Sequence, residues 1–248
     1  MRTVIFIPAR YKSSRYPGKP LVMINGKPLV IWVAELSVQA VGIDNVYVLT
    51  EDQRILEVVE KHGFQCLMTL DTHLTGTDRL AEAAARIDAD IYINVQGDEP
   101  TLDPNDIIKI IEAKKANMQY VVNGMCPLSL AEDPENVNLP KVAFKENKVM
   151  IYMSRAAIPK GKTPRDPQQF WKQVCIYAFT RDELLSFGNF GRKSASEAIE
   201  DIEILRFLEL GKEVFMVETQ GATYAVDVPD DVAVVEQVLK AKFGDFNG

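Results

Sequence analysis

Short, nearly continuous apolar runs alternate with amphipathic stretches through the first half of this chain. That rhythm limits the fold more than any other feature. The runs fall at 2–8, 46–49, 65–68, 91–95 and 120–125, with helical patterns between them near 28–40, 52–62, 77–87 and 104–116. Asp103 then Pro104 marks the last helix start: a carboxylate that accepts from free N–H groups, followed by a residue with no N–H to satisfy. Strands rich in Val and Ile on both faces belong in a parallel sheet covered by helices on both sides, because neither face tolerates water. Repeated β-α units therefore predict an α/β, doubly wound, mainly parallel sheet, with ligands bound beyond the carboxyl ends of its strands.

The rhythm breaks at 127–170, where Pro127, Pro134, Pro140, Pro159, Pro164 and Pro167 interrupt any helix. A hairpin is expected there from 141–144 and 149–152, turning at Glu146-Asn147-Lys148. The segment reads as an inserted arm within a single domain spanning 1–248. Beyond it the pattern predicts a strand at 174–179, helices at 181–187 and 196–210, a strand at 213–217 and a last helix at 229–242. Ile199, Ile202 and Leu205 form the expected buried stripe of the 196–210 helix, leaving Glu197, Glu200, Asp201 and Glu203 for a solvated face.

Composition narrows the chemistry. A formal net charge of −7 argues against a surface that coats nucleic acid, which needs lysines and arginines to neutralise phosphates. Cys66, Cys126 and Cys175 are widely spaced with no CxxC, so neither a zinc ribbon nor a disulfide framework is indicated and a reducing cytoplasm is expected. His62 and His73 are the only histidines, which leaves little room for a His-rich metal centre or a Ser-His-Asp triad. No apolar run approaches the ~18 residues of a membrane span.

Against this acidic background, Arg10, Lys12, Arg15 and Lys19 crowd into ten residues directly after the first strand, with Ser13, Ser14, Gly18 and three prolines among them. A strand opening into a basic, glycine-containing loop suits a polyphosphate: backbone N–H groups and hydroxyls wrap the anion and the cations neutralise it. The loop is neither a Walker A motif nor a GxGxxG fingerprint. At the end of the 91–95 strand, Gln96-Gly97-Asp98 offers an amide able to read a base edge and a carboxylate that suits either a Mg²⁺ ligand or a helix-capping turn. Asp227, in Val226-Asp227-Val228-Pro229, is a second such carboxylate, or the cap of the last helix. Thr75-Gly76-Thr77-Asp78-Arg79 either lines a nucleobase pocket or simply caps its helix.

Assembled in order, these motifs resemble the sugar-acid cytidylyltransferases, and most closely the 3-deoxy-manno-octulosonate (Kdo) branch. The matching segments are IPARYKSSRYPGKPL (7–21), INGKP (24–28), TGTDRLAEA (75–83), INVQGDEP (93–100), IYMSRAAIP (151–159), IYAF (176–179), IEDIEILR (199–206) and VDVPDD (226–231). The resemblance implies a nucleotide-diphospho-sugar transferase-like fold and transfer of CMP from CTP to the anomeric hydroxyl of a 2-keto-3-deoxy sugar acid, releasing pyrophosphate for cell-surface polysaccharide synthesis. It implies that Arg10, Ser13, Arg15 and Lys19 hold the triphosphate, with Ala9, Thr75 and Gln96 also at the nucleotide. Arg10, Arg15, Lys19, Asp98 and Asp227 are the implied catalytic set, Asp98 and Asp227 being the Mg²⁺ ligands. Arg155, Gln173, Tyr177, Glu203 and Ile204 fall at positions around the sugar acid. The 127–170 arm matches the segment through which family members form homodimers.

Three departures stand out. Gln173-Val174-Cys175-Ile176-Tyr177 replaces a His-x-Gly-Ile-Tyr pattern, Ile204 replaces a glutamine, and Val228 replaces a threonine. The first two fall on the acceptor side, so the same reaction on a modified acid, such as 8-amino-3,8-dideoxy-octulosonate or another ulosonic acid, is the alternative. A nucleotide sensor without catalysis and a transferase acting on a sugar 1-phosphate are the rivals from other classes.

Overall fold

The computed structural model describes residues 1–12, 16–163, 165–221 and 223–244. Strand β1 (Thr3–Pro8) runs through the middle of the sheet because it has no polar face: Ile5 and Ile7 enter one core, Val4 and Phe6 the other. A small hairpin, β2 (Met23–Ile24) with β3 (Lys27–Pro28), leads into α1 (Leu29–Val41). There follow β4 (Val46–Thr50), α2 (Gln53–Lys61), β5 (Gln65–Met68), α3 (Gly76–Arg86), β6 (Ile91–Val95) and α4 (Pro104–Ala116). The second half holds β7 (Val121–Pro127), β8 (Lys141–Phe144), β9 (Met150–Ser154), β10 (Trp171–Phe179), α5 (Arg181–Asn189), α6 (Ala195–Glu200), α7 (Leu205–Glu209), β11 (Val214–Glu218) and α8 (Asp231–Phe243).

The main sheet runs β11-β7-β10-β6-β1-β4-β5. Neighbours are parallel except β10, which is antiparallel to both β6 and β7. Helices α1, α2 and α4 pack on one face; α3, α5 and α7 pack on the other. The mainly parallel, doubly wound sheet is as expected. From β1 the chain steps to β4 and β5, then crosses back to lay β6 on the other side of β1. The connections leaving the carboxyl ends of β1 and β6 thus lead toward opposite edges of the sheet, which makes a topological switch point, where an α/β sheet opens a crevice. Because β10 runs the other way and pairs Ile176 with Val95, its first residues, 171–175, extend past the end of β6 into that crevice.

The hairpin within 127–170 forms and joins the main sheet through Lys141 opposite Lys172, while Val142, Met150 and Met153 pack into the core. Leu128, Ala157 and Phe170 make a small cluster of their own beside it.

The continuous 196–210 helix does not form. Asp201 adopts a left-handed backbone (φ 50°) and ends α6, so two short helices replace one. Of the expected stripe, Ile202 and Leu205 are buried but Ile199 is 86% exposed, and Glu197, expected in solvent, is buried. Ile204, expected beside the sugar acid, is also misplaced by sequence reasoning. It has no exposed surface and packs with Phe179 and Phe207 in the core cluster under α7. An apolar side chain at the buried start of α7 gains more from that core than from a polar cleft.

Candidate active site

A cavity of about 710 Å³ opens at the switch point. Ala9, Arg10, Lys19, Thr75, Gln96, Asp98, Arg155, Gln173, Tyr177, Glu203 and Asp227 all line it. Ser13 and Arg15 lie outside the described residues. Lys19, Asp98 and Asp227, far apart in sequence, meet at one end: Lys19 Nζ lies 2.6 Å from Asp98 Oδ2 and 3.4 Å from Asp227 Oδ1.

Each of the three has a local reason to be there. Gly18 turns the basic loop with φ 74°, donates its N–H to the Tyr11 carbonyl (2.9 Å), and delivers Lys19 into a single 3₁₀ turn over Lys19–Leu21. Gly97 lets the end of β6 close on the end of β1; a β-carbon there would sit 2.8 Å from the Pro8 carbonyl oxygen. The Val226 N–H donates to the Asp98 carbonyl (2.9 Å), which seats Asp227 beside Asp98. The helix-cap readings of both aspartates fall away. Asp103 caps α4 through the Asn105 N–H, and it is Asp231 that accepts from the Asp227 and Val228 N–H groups at the start of α8.

Arg79 and Glu51 shape the loop that follows β1. Glu51 Oε1 accepts from the Tyr11 N–H (2.9 Å), and its other oxygen pairs with Arg79 Nη2 at 3.0 Å. Burial pulls the Arg79 pKa down despite the attraction of Glu51. Thr75 does both things its motif allowed: it closes a reciprocal capping box with Asp78 at the start of α3 and also faces the cavity.

Across the cavity, Glu203 Oε2 accepts from the Thr77 N–H (3.1 Å), and burial pushes its carboxyl above the usual range. Burial likewise raises Tyr177 and Cys175, keeping the phenol and thiol protonated. Glu99, next to Asp98 but turned inward, is pushed up to about 7, first by burial and then by the Asp98 charge. Gln173 donates to Asn123 Oδ1 (3.1 Å), while the Asn123 amide donates to the Val174 and Ile176 carbonyls where β10 shifts register. Arg155 spends its guanidinium on carbonyls: those of Glu200 (2.5 Å), Val137 (2.8 Å) and Asp201 (2.9 Å).

Sequence reasoning missed the group that holds these walls together. Arg206 is fully buried and pairs at 2.6 Å with Asp78 of α3 and at 2.6 Å with Glu197 of α6. Its guanidinium lies 3.7 Å from the Phe187 ring centroid. Thr75-x-x-Asp78 and Ser194-x-x-Glu197 both have capping-box spacing, and that was the available signal. What one dimension hides is that one arginine bridges the two boxes. Lys193, Asn138 and His73 also line the cavity without having been singled out for it.

A nucleotide-sized cavity at the switch point, with an ammonium and two carboxylates at one end and polar groups at the other, defines a nucleotidyltransferase. A family described as cytidylyltransferase matches residues 4–214, and the chain belongs to that family. A 3-deoxy-manno-octulosonate cytidylyltransferase 2 of Hydrogenovibrio crunogenus is 40% identical, over 97% of this chain and 99% of its own. An 8-amino-3,8-dideoxy-manno-octulosonate cytidylyltransferase of Shewanella baltica is 37% identical, over 96% and 99%. Among solved structures, a CMP:2-keto-3-deoxy-manno-octonic acid synthetase complexed with CTP matches with a TM-score of 0.89 at 35% identity, covering 98% of this chain and all of that one. No described helix is long and apolar enough to cross a membrane.

Proposed function

We propose that this cytidylyltransferase moves CMP from CTP to the anomeric hydroxyl of a 3-deoxy-octulosonate-type sugar acid. The convergence of Lys19, Asp98 and Asp227 at one end of the cavity is the observation that carries this reading. The hydroxyl oxygen forms a bond to the α-phosphorus, the bond from that phosphorus to the bridging oxygen of the β-phosphate breaks, and pyrophosphate leaves. The hydroxyl proton passes to solvent. Arg10 and Lys19 balance charge on the departing phosphates, and Gln96 and Thr75 border the nucleotide.

The donor set fits Mg²⁺. Asp98 and Asp227 supply hard oxygen ligands close enough to share one ammonium, and Mg²⁺ takes one or two carboxylates together with substrate phosphates and water. When bound there, Mg²⁺ offsets phosphate charge and polarises the α-phosphate. Transfer to an 8-amino-3,8-dideoxy acid is the second reading, favoured by the Shewanella relative and by Gln173 in place of histidine. The enzyme acts in the cytoplasm, where CTP is made, as a homodimer joined through 127–170.

Asp98→Ala abolishes pyrophosphate release from CTP and acceptor while the far-UV spectrum stays native; near-normal turnover of that variant with Mg²⁺ refutes the assignment. Lys19→Ala mainly lowers turnover. A panel of CTP and UTP against Kdo, its 8-amino analogue and sugar 1-phosphates identifies the acceptor, and sedimentation gives the oligomer.

A further inference from the structure

The two carboxylates of the candidate metal site belong to different parts of the fold. Asp98 follows β6 in the middle of the main sheet, whereas Asp227 lies beyond the last strand, just before α8. Asp231, the first residue of α8, accepts from the Asp227 N–H (2.7 Å), so Asp227 is built onto that helix. The helix itself is lightly held. Of its 13 residues only Val235 and Leu239 are buried, and they join neither core of the sheet. They pack in a small separate cluster with Ile24, Leu29, Trp32 and Val226. Tyr16 and Val22, on either side of Lys19 in the chain, rest against the same cluster, which thereby sets Asp227 against Lys19. Two buried side chains are a thin seam for a helix this long, and elements with few buried contacts open at lower free energy than a core.

Polar ties supplement the seam at both ends. Asn25 and Gly26 turn the β2–β3 hairpin with φ 46° and 79°, values that asparagine and glycine tolerate and that a two-residue turn requires. This turn grips one residue of α8 twice. The Asn25 N–H donates to Glu236 Oε1 (2.9 Å), and the Asn25 side-chain amide donates to the Glu236 carbonyl (3.1 Å). At the far end of the helix, Lys242 donates to the carbonyls of Thr101 and Leu102 (3.2 and 3.3 Å), in the turn that follows Asp98. Thr101 Oγ1 also accepts from the Tyr224 N–H (2.7 Å). The segment 223–243 therefore bridges the hairpin that follows Lys19 and the turn that carries Asp98.

Resting on the metal assignment above, we propose that residues 223–243 form a strap that docks as one unit, with Glu236 as its docking residue, and that a divalent cation between Asp98 and Asp227 fastens it. Undocking takes Asp227 away from Asp98 and dismantles the site, and docking assembles it. The Lys19 ammonium, within reach of both carboxylates, makes the same link through its own charge. Because the cation has both ligands only in the docked form, site and strap are coupled reciprocally, and filling the site lowers the undocked population.

Hydrogen exchange read by mass spectrometry tests this on the whole chain, with CTP but no acceptor, before and after addition of MgCl2. Glu236→Ala loses a charge-assisted contact and speeds exchange of the α8 amides about tenfold, while the α2 amides exchange as in wild type. Glu236→Gln keeps an acceptor for the Asn25 N–H and stays within about threefold of wild type. MgCl2 slows α8 exchange at least about threefold in wild type and in Glu236→Ala alike, and does not slow it in Asp227→Asn. Unaltered α8 exchange in Glu236→Ala overturns the docking role. Slowing by MgCl2 that is as large in Asp227→Asn as in wild type, or that is confined to the 98–102 turn, overturns the coupling of strap to site. A wild type in which MgCl2 slows neither α8 nor the 98–102 turn overturns the metal assignment itself, and the coupling with it.

Discussion

Replacing Arg206 by methionine removes one positive charge from a place that holds two negative ones. Arg206 has no exposed surface, Glu197 is 1% exposed in its side chain and Asp78 is 10% exposed, so water cannot solvate the orphaned carboxylates. Breaking a buried pair from one side costs about 3–5 kcal/mol, because the partner's desolvation is no longer offset. With a urea slope of about 3 kcal/mol/M for a chain of this size, the midpoint should fall by about 1–1.7 M. Adding Glu197→Gln to Arg206→Met recovers part of the loss. Urea titrations followed by circular dichroism check both points. A midpoint shift below about 0.3 M at pH 7.5 refutes the premise that these charges are desolvated.

Gly97→Ala should lower turnover about 10- to 100-fold, as a slight misplacement of reacting groups does. Its β-carbon would push the Asp98 turn off the Pro8 carbonyl, and initial rates at saturating CTP read the effect. Asn94 lies in the sheet between Phe6 and Tyr177, fully buried, with both side-chain amide atoms unpartnered. Asn94→Leu should therefore stabilise the fold by about 1–3 kcal/mol in urea titrations, and a loss of stability would show that the amide is satisfied in solution. Burial holds the Glu203 pKa above its unfolded value, so this residue lowers stability as pH rises through its folded pKa. Glu203→Gln should flatten the fall in stability between the unfolded carboxyl value and the raised folded one, and an unchanged profile counts against the burial argument.

The class of fold was legible because periodicity reports burial. Strands with Val and Ile on both faces demand cover on both sides, and the sheet at β1, β4 and β6 supplies it. Much of the site was legible for a related reason: ligands gather at strand ends, and Ala9, Arg10, Gln96 and Asp98 follow strands directly. The 196–210 region was misread because its apolar spacing suits a helix whose backbone Asp201 interrupts, and a left-handed residue leaves no mark in a hydrophobic pattern.

By itself, then, the sequence determined the β-α layers, the loop that gathers cations and the carboxylates available to a nucleotide. Only the tertiary structure decided which charges neutralise one another. It brought Asp227 to Asp98 around Lys19, set the Arg155 guanidinium against three backbone carbonyls at the cavity wall, and joined Asp78 to Glu197 through Arg206. Coulombic pairing depends on separation and on exclusion of water, and neither quantity exists until the chain has folded.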